Sequence, residues 1–383
     1  MELTASQKQA LIEIDNFMNS KVQDVHCLSG SPGTGKSFLI NIISNKYKNT
    51  LITATTNKAS SVINGKTLCK AYGITLVADL KTGNQEYSTK YHKNVRNSLV
   101  IIDEASMLER ELWQLVQDYS YNCKFLLVGD KYQLPAVGST FDPFSVYPVS
   151  ELTEVVRQSD KDFLEEIDKS REGVKNSVLY EPKENNCIHY LKTKKEVRDL
   201  LSTFGPYDKA LSYTNPMSID LAYTIRKLQG KGDDFKVGDT VSPKNYCEGI
   251  NKTSLFTGED LIISNIEEPE DITIDLFTVP VRRMNFEGIM DTFLVPVNYE
   301  YVQLLIKSFS KNKQWKEMYY CKESLLDLRF NEASTVHCAQ GSTYNRVFIH
   351  MTDIKTCRAH SVKSRLMYVA LTRAKNGVYI YEE

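Results

Sequence analysis

Very little in this chain's composition marks it out. Its eight cysteines are scattered over 383 residues with no C-x-x-C pair and no histidine at metal-ligand spacing. That excludes a zinc ribbon, an iron–sulfur cluster and a disulfide framework. Excess charge of one sign is also missing: 47 Lys and Arg stand against 48 Asp and Glu, a net of −1, so any nucleic acid must be held by a local basic groove. No apolar run reaches bilayer length, and the opening MELTASQKQALIEI lacks the charged-then-apolar order of a secretion signal. The expectation is therefore a cytoplasmic protein with no membrane partner. Repeats and low-complexity linkers are absent, and the acidic run 267–271 (EEPED) reads as a turn on a solvated face. The length exceeds what one compact core usually takes and points to about two domains with insertions.

What is present begins at "LSGSPGTGKSFLI". Gly30-x4-Gly35-Lys36-Ser37 fits G-x-x-x-x-G-K-[ST], a phosphate-binding loop. Backbone N–H groups must turn inward around the phosphates, where a Cβ would intrude, hence the glycines. Lys36 supplies a point charge to the β and γ phosphates, and the Ser37 hydroxyl is suited to Mg²⁺. Val25, Cys27 and Leu28 read as a buried strand before the loop, and Phe38, Leu39, Ile42 and Ile43 recur at helical spacing after it. Gly30, Pro32, Gly33, Thr34, Gly35, Lys36, Ser37 and Phe38 are the expected nucleotide contacts, with the phosphates on the helix N-terminus.

A second apolar strand, 99–102, runs into Asp103-Glu104. Adjacent acids at a strand end suit one carboxylate to the Mg²⁺ (Asp103) and the next to orienting and deprotonating the attacking water (Glu104). A third strand, 125–128, is followed by Gly129-Asp130-Lys131-Tyr132-Gln133, where Gln133 can sense the γ-phosphate. Together these read as a nucleoside-triphosphate hydrolase with a Mg²⁺ site. A signalling GTPase fits poorly, because Ser60 stands where the guanine-reading aspartate belongs.

At "GDKYQLPAV" the chain resembles the superfamily 1 helicases of the Dda- and RecD-like branch, and the resemblance continues in motif order along the whole length. "LTASQKQ" is similar to the family's adenine-reading element, with Gln7 as the base contact, although Thr4-x-x-Gln7 is also a helix capping box. "ATTNKAS" and "KTL" are similar to segments that touch single-stranded DNA, giving Thr56, Asn57 and Thr67 as candidates; the alternative is that they are helix caps. Thr55 stands where the family often has proline, and Cys69 where histidine is common. "LTEVVRQSD" and "MYVALTRAK" resemble segments carrying arginine fingers, Arg157 and Arg373. "LSYTN" supplies Thr214 and Asn215 as DNA contacts. "STVHCAQGST" supplies Thr335 and His337 facing DNA and Gln340 and Gly341 facing nucleotide, with Cys338 replacing the lysine usual in the Dda type.

The resemblance implies an α/β fold of two RecA-like lobes with parallel sheets, residues 1–73 with 98–150 and residues 151–235 with 331–383. A β-hairpin insertion at 74–97 would be a pin that splits the duplex, with Tyr87 or Tyr91 stacking on the end base pair. An SH3-like β-barrel insertion would occupy 236–330, where Trp315 either stacks on bases or packs in the core. The implied activity is ATP-dependent unwinding of single-strand-tailed and forked DNA, 5′ to 3′, by a monomer, as in a phage-encoded helicase of replication or recombination in the host cytoplasm. Single-strand-binding or replication proteins are its implied partners. The rival is a DNA-stimulated ATPase that remodels nucleoprotein without separating strands.

Overall fold

Val25–Gly30 and Leu99–Asp103 are buried at every residue, as parallel strands covered by helices on both faces must be. The computed structural model describes residues 3–78, 85–136, 141–156 and 160–383. Its first sheet has six strands in the order Val149–Leu152, Val25–Gly30, Lys124–Gly129, Leu99–Asp103, Thr50–Ala54 and Lys66–Thr67, all parallel. Period-2 alternation divides the strand residues between two cores. Leu28, Ile101, Leu126 and Val128 meet Ile14 and Phe17 of helix Ala5–Asn19 and Leu39 and Ile43 of helix Lys36–Lys46. Val100, Ile102, Phe125 and Leu127 meet Leu112, Trp113 and Val116 of helix Arg110–Asp118. The register pairs Ser29 with Gly129 and Ala54 with Asp103, which brings the loops after these strands to one edge.

A second parallel sheet of five strands runs Ile188–Leu191, Ala374–Tyr381, Tyr344–His350, Lys209–Ser212 and Ala333–Thr335. One face, with Leu211, Val347, Ile349, Val378 and Ile380, packs on helices Lys161–Lys175 and His360–Thr372. Tyr132 and Leu134, from the loop after a first-lobe strand, are buried in this second-lobe core.

Thr75–Ala78 and Gln85–Ser88 pair antiparallel as the expected hairpin; its Thr-Gly-Asn turn lies outside the described residues. The insertion after residue 236 is antiparallel and six-stranded, in the order Glu270–Ile274, Phe277–Phe286, Leu261–Ile266, Thr240–Pro243 and Leu328–Phe330, with Phe293–Pro296 also pairing with Phe277–Phe286. Among the described residues its end strands do not pair with each other, so the sheet is open at those edges, in the place where an SH3-like β-barrel was expected. Helices Tyr299–Lys311 and Trp315–Glu323 cover one end, with Val302, Leu305, Phe309 and Met318 on Val279 and Val281, and Trp315 packs against this cluster. The rest of its apolar surface is continuous with the second lobe through Leu221, Ile225 and Phe348.

The neck of the insertion is closed electrostatically. Arg226, only 1% exposed, lies 3.7 Å from the Phe330 ring centre and donates to Asp239 just before the entering strand (2.9 and 3.1 Å) and to Glu332 just after the leaving one (3.3 Å). Beside it, buried Lys209 donates to the Asn331 carbonyl and, at 2.7 Å, to its Oδ1. Replacing Arg226 by Met strands two half-enclosed carboxylates, and chemical denaturation should show a loss of about 3–5 kcal/mol. Burial pushes the Lys209 ammonium down to about 8 from an ordinary 10.5, so between those values the unfolded chain binds more protons than the folded one. Stability should therefore rise with pH across that window by up to about 3 kcal/mol, a gain that Lys209→Met lacks, as unfolding at fixed pH values will report.

Candidate nucleotide site between the lobes

The phosphate loop is held open by its own backbone. Gly33 and Gly35 adopt left-handed φ of 86° and 88°, and a Cβ on Gly35 would lie 2.6 Å from Gln7 Nε2. On Gly30 a Cβ would lie 2.5 Å from Thr34 Oγ1. Thr34 is fully buried and its hydroxyl donates to the Ser31 carbonyl at 2.8 Å. Lys36 Nζ donates to the Gly30 and Ser31 carbonyls at 2.7 and 3.2 Å, folding back over a loop shaped for an anion. Ser37 and Phe38 are exposed on the first turn of the following helix. Pro32 and Gly33 line a cleft whose other wall includes Leu164, Ile167 and Thr372, and the Val156 N–H reaches the Gly33 carbonyl at 2.8 Å.

Gln7 serves the loop and the helix together. Its Oε1 accepts the Thr4 N–H at 3.1 Å, completing the capping box, and its Nε2 donates to the Thr34 carbonyl at 2.9 Å. One end of the amide is committed to the helix cap and one N–H of the other to the phosphate loop.

Asp103 and Glu104 sit at the adjacent strand end. Glu104 has a left-handed φ of 52°, uncommon away from glycine, and its N–H donates to Asp103 Oδ1 at 2.9 Å. Thr55 holds this bend from the neighbouring strand: its N–H donates to the Asp103 carbonyl at 3.2 Å and its hydroxyl to the Glu104 carbonyl at 3.0 Å. Proline there could make neither bond. The departure noted in the sequence was thus the available signal for a supporting residue that motif reading passed over.

Glu104 Oε2 is buried without a hydrogen-bond partner. Burial and the Asp103 charge raise the Glu104 carboxyl above the ordinary carboxylate range, with Lys36 and Arg373 opposing. Burial likewise raises Asp103, against Lys36 and the Glu104 N–H. An unpaired, desolvated carboxylate within the field of a lysine is suited to proton abstraction. The glycine cradle, the lysine and the two raised acids together fit a nucleoside triphosphate with its divalent cation.

The second lobe reaches this carboxylate. A Cβ on Gly341 would stand 3.6 Å from Glu104 Oε1, and Gln340 Nε2 donates across the lobes to the Leu134 carbonyl at 3.1 Å. Arg373 is buried and satisfied on its own lobe, donating to the Ser342 and Val369 carbonyls and to Thr372 Oγ1 at 2.9–3.2 Å. Gln133 is also buried, and its Oε1 has no partner. Arg157 lies outside the described residues.

Several of the residues expected to touch DNA are occupied as helix caps. Thr56, Thr67 and Thr214 accept the N–H groups of Ala59, Lys70 and Met217, and the Thr214 hydroxyl also donates to Asp353 at 2.7 Å. Asn57 and Asn215 begin those helices, Asn215 exposed. Thr335 is buried and caps Cys338 N–H, while burial lowers the imidazole pKa of His337, whose ring lies 6.2 Å from that of Tyr213. Tyr87 packs against the first-lobe core and its hydroxyl donates to Glu109 at 2.9 Å, so the ring the hairpin presents is Tyr91, 71% exposed.

The chain matches the family model of an AAA domain over residues 15–139 and that of a UvrD-like helicase C-terminal domain over 331–381. It is 24% identical to the ATP-dependent DNA helicase Pif1 of Campylobacter jejuni, covering 91% of this chain and 86% of that protein. It is 22% identical to the ATP-dependent DNA helicase dda of Enterobacteria phage T4, covering 99% of both. Another curated relative is matched over only 31% of its own length. In fold it is similar to the Pif1 helicase from Bacteroides in complex with ADP-AlF3 and ssDNA, with a TM-score of 0.56 at 17% identity over 99% of this chain and 92% of that one. The two models fall at the phosphate loop and at the Arg373 segment, and along nearly its full length the chain is similar to ATP-dependent DNA helicases of the Pif1 and Dda type.

Proposed function

We propose that the chain is an ATP- and Mg²⁺-dependent DNA helicase that moves 5′ to 3′ on single-stranded DNA and opens forked duplexes as a monomer, in phage replication or recombination. The observation that carries this reading is the meeting of Glu104 on one lobe with Gly341 and the Arg373 charge on the other. Hydrolysis placed at such a joint is sensitive to lobe motion, which a translocating motor requires. The phage role rests on the chain-long match to the T4 protein alone.

In this reading Lys36 leaves the loop carbonyls for the β and γ phosphates, and Glu104 takes the proton of the attacking water. Gln133 orients that water, and Arg373 exchanges its lobe-bound carbonyls for the γ-phosphate as the cleft closes. Ser37 and Asp103 would hold Mg²⁺, whose charge offsets that of the β and γ phosphates. Gln7 supports the adenine side by fixing the loop. Asn57, Asn215 and His337 contact the DNA backbone, with the threonine caps setting their positions, and the 74–97 hairpin acts as the pin with Tyr91 stacking at the junction. Backbone contacts and stacking read no sequence and weaken with salt.

Strand separation on duplexes with a 5′ or a 3′ tail is the decisive assay. Unwinding is expected only from the 5′ tail and should be abolished in Lys36→Ala, whereas unwinding from the 3′ tail would reverse the direction. Glu104→Gln should lower ATP turnover by roughly 10²–10⁴-fold while leaving nucleotide binding, measured by equilibrium titration, near the parent value. Tyr91→Ala should slow unwinding but keep DNA-stimulated hydrolysis, since it removes a stacking contact worth about 1–3 kcal/mol and nothing at the phosphate loop. Equal loss of both activities would remove Tyr91 from the junction.

A further inference from the structure

The loop that carries Gln133 belongs by sequence to the first lobe but is gripped by the second. Tyr368 donates its hydroxyl to Asp130 Oδ2 at 2.8 Å, and Asp130 Oδ1 in turn accepts the Tyr132 N–H at 3.0 Å. One nitrogen of Arg365, Nη1, donates to the carbonyls of Lys131 and Gln133 at 2.8 and 2.5 Å. Gln340 holds the Leu134 carbonyl, and the side chains of Tyr132 and Leu134 are buried in the second-lobe core. Against this, the first lobe offers Ser29 Oγ to the Lys131 N–H at 3.3 Å and Glu151 to the Lys131 ammonium at 2.8 Å. Neither of these touches Gln133. The Gln133 side chain lines a cavity of about 130 Å³ together with Ser106 and Arg365, and its Oε1 is unpaired. It therefore has room to reorient when its backbone moves.

Arg365 and Tyr368 stand three residues apart on helix His360–Thr372, one turn of the same face, and the chain leaves that helix through Arg373. We infer that Arg365, with Tyr368, is a positioning residue that ties the Gln133 backbone to the second lobe, so that Gln133 and Arg373 move as one body relative to Glu104. This rests on the proposed ATP-hydrolysing function. Its consequence is that Gln133 approaches the reaction centre only with the second lobe, and an enzyme lacking the tie holds Gln133 at the wrong place even when nucleotide is bound normally.

The test is a double-mutant cycle on the full chain, reading steady-state ATP hydrolysis with saturating oligo-dT. Arg365→Met should lower kcat on the order of ten- to a hundredfold with KM for ATP changed little, the cost of a group misplaced by about an ångström. Arg365→Lys, which keeps the charge but not the guanidinium geometry, should fall with it. In a Gln133→Ala background, Arg365→Met should add less than about a twofold further loss, because its partner is already gone. Equal loss in both backgrounds, or full kcat in Arg365→Met, overturns the inference. Thermal midpoints guard against a folding defect; if Arg365→Met fails to fold, Tyr368→Phe, which removes one oxygen, takes its place in the same cycle with the same outcomes. Absence of turnover in the parent chain would instead refute the hydrolase reading, and this inference with it.

Discussion

The molecule depends on keeping one carboxylate dry. Glu104 is bent into a left-handed backbone and has one carboxylate oxygen buried and unpaired, two features that each oppose folding. They persist because the surroundings over-determine them. Thr55 ties the bend from the end of the next strand, the Glu104 N–H closes onto Asp103, and Gly341 of the other lobe stands beside the carboxylate. The charges of Lys36 and Arg373 lower the cost of ionisation from opposite sides of the cleft. The electrostatic environment of the carboxylate is therefore shared between the two lobes.

Much of this was legible in the sequence. Strands buried on both faces read as continuous apolar runs, and the phosphate loop, the acid pair and Gln133 each followed one, so type and spacing were enough to place them on a parallel sheet. Less legible was what each side chain is attached to. Thr4 and Gln7 formed the capping box their spacing allowed, but nothing local says that Gln7 also reaches Thr34. Thr56, Thr67 and Thr214 are caps because a hydroxyl next to a helix start finds an N–H before it finds a ligand. Tyr87 and Tyr91 are indistinguishable in pattern; only the Glu109 carboxylate, 22 residues from Tyr87 along the chain, decides which ring is tied down. Arg365 was unreadable for the same reason, since its acceptors are backbone carbonyls, which no side-chain motif records.

The insertion was visible as alternating segments, yet alternation fixes the faces of strands and not whether a sheet closes on itself. Here the apolar face of the sheet is covered by two helices at one end and by the second lobe along the rest, so its core is completed without closure.

Arg226 gives this arrangement a modular character. The chain departs for the insertion beside Asp239 and returns beside Glu332, and both acids answer to one guanidinium rooted in the second lobe. Whatever lies between those two points is fastened by its stem. Stem and shared apolar core hold the insertion together, so changes in the strands and loops beyond both can leave the parallel sheet and its register untouched.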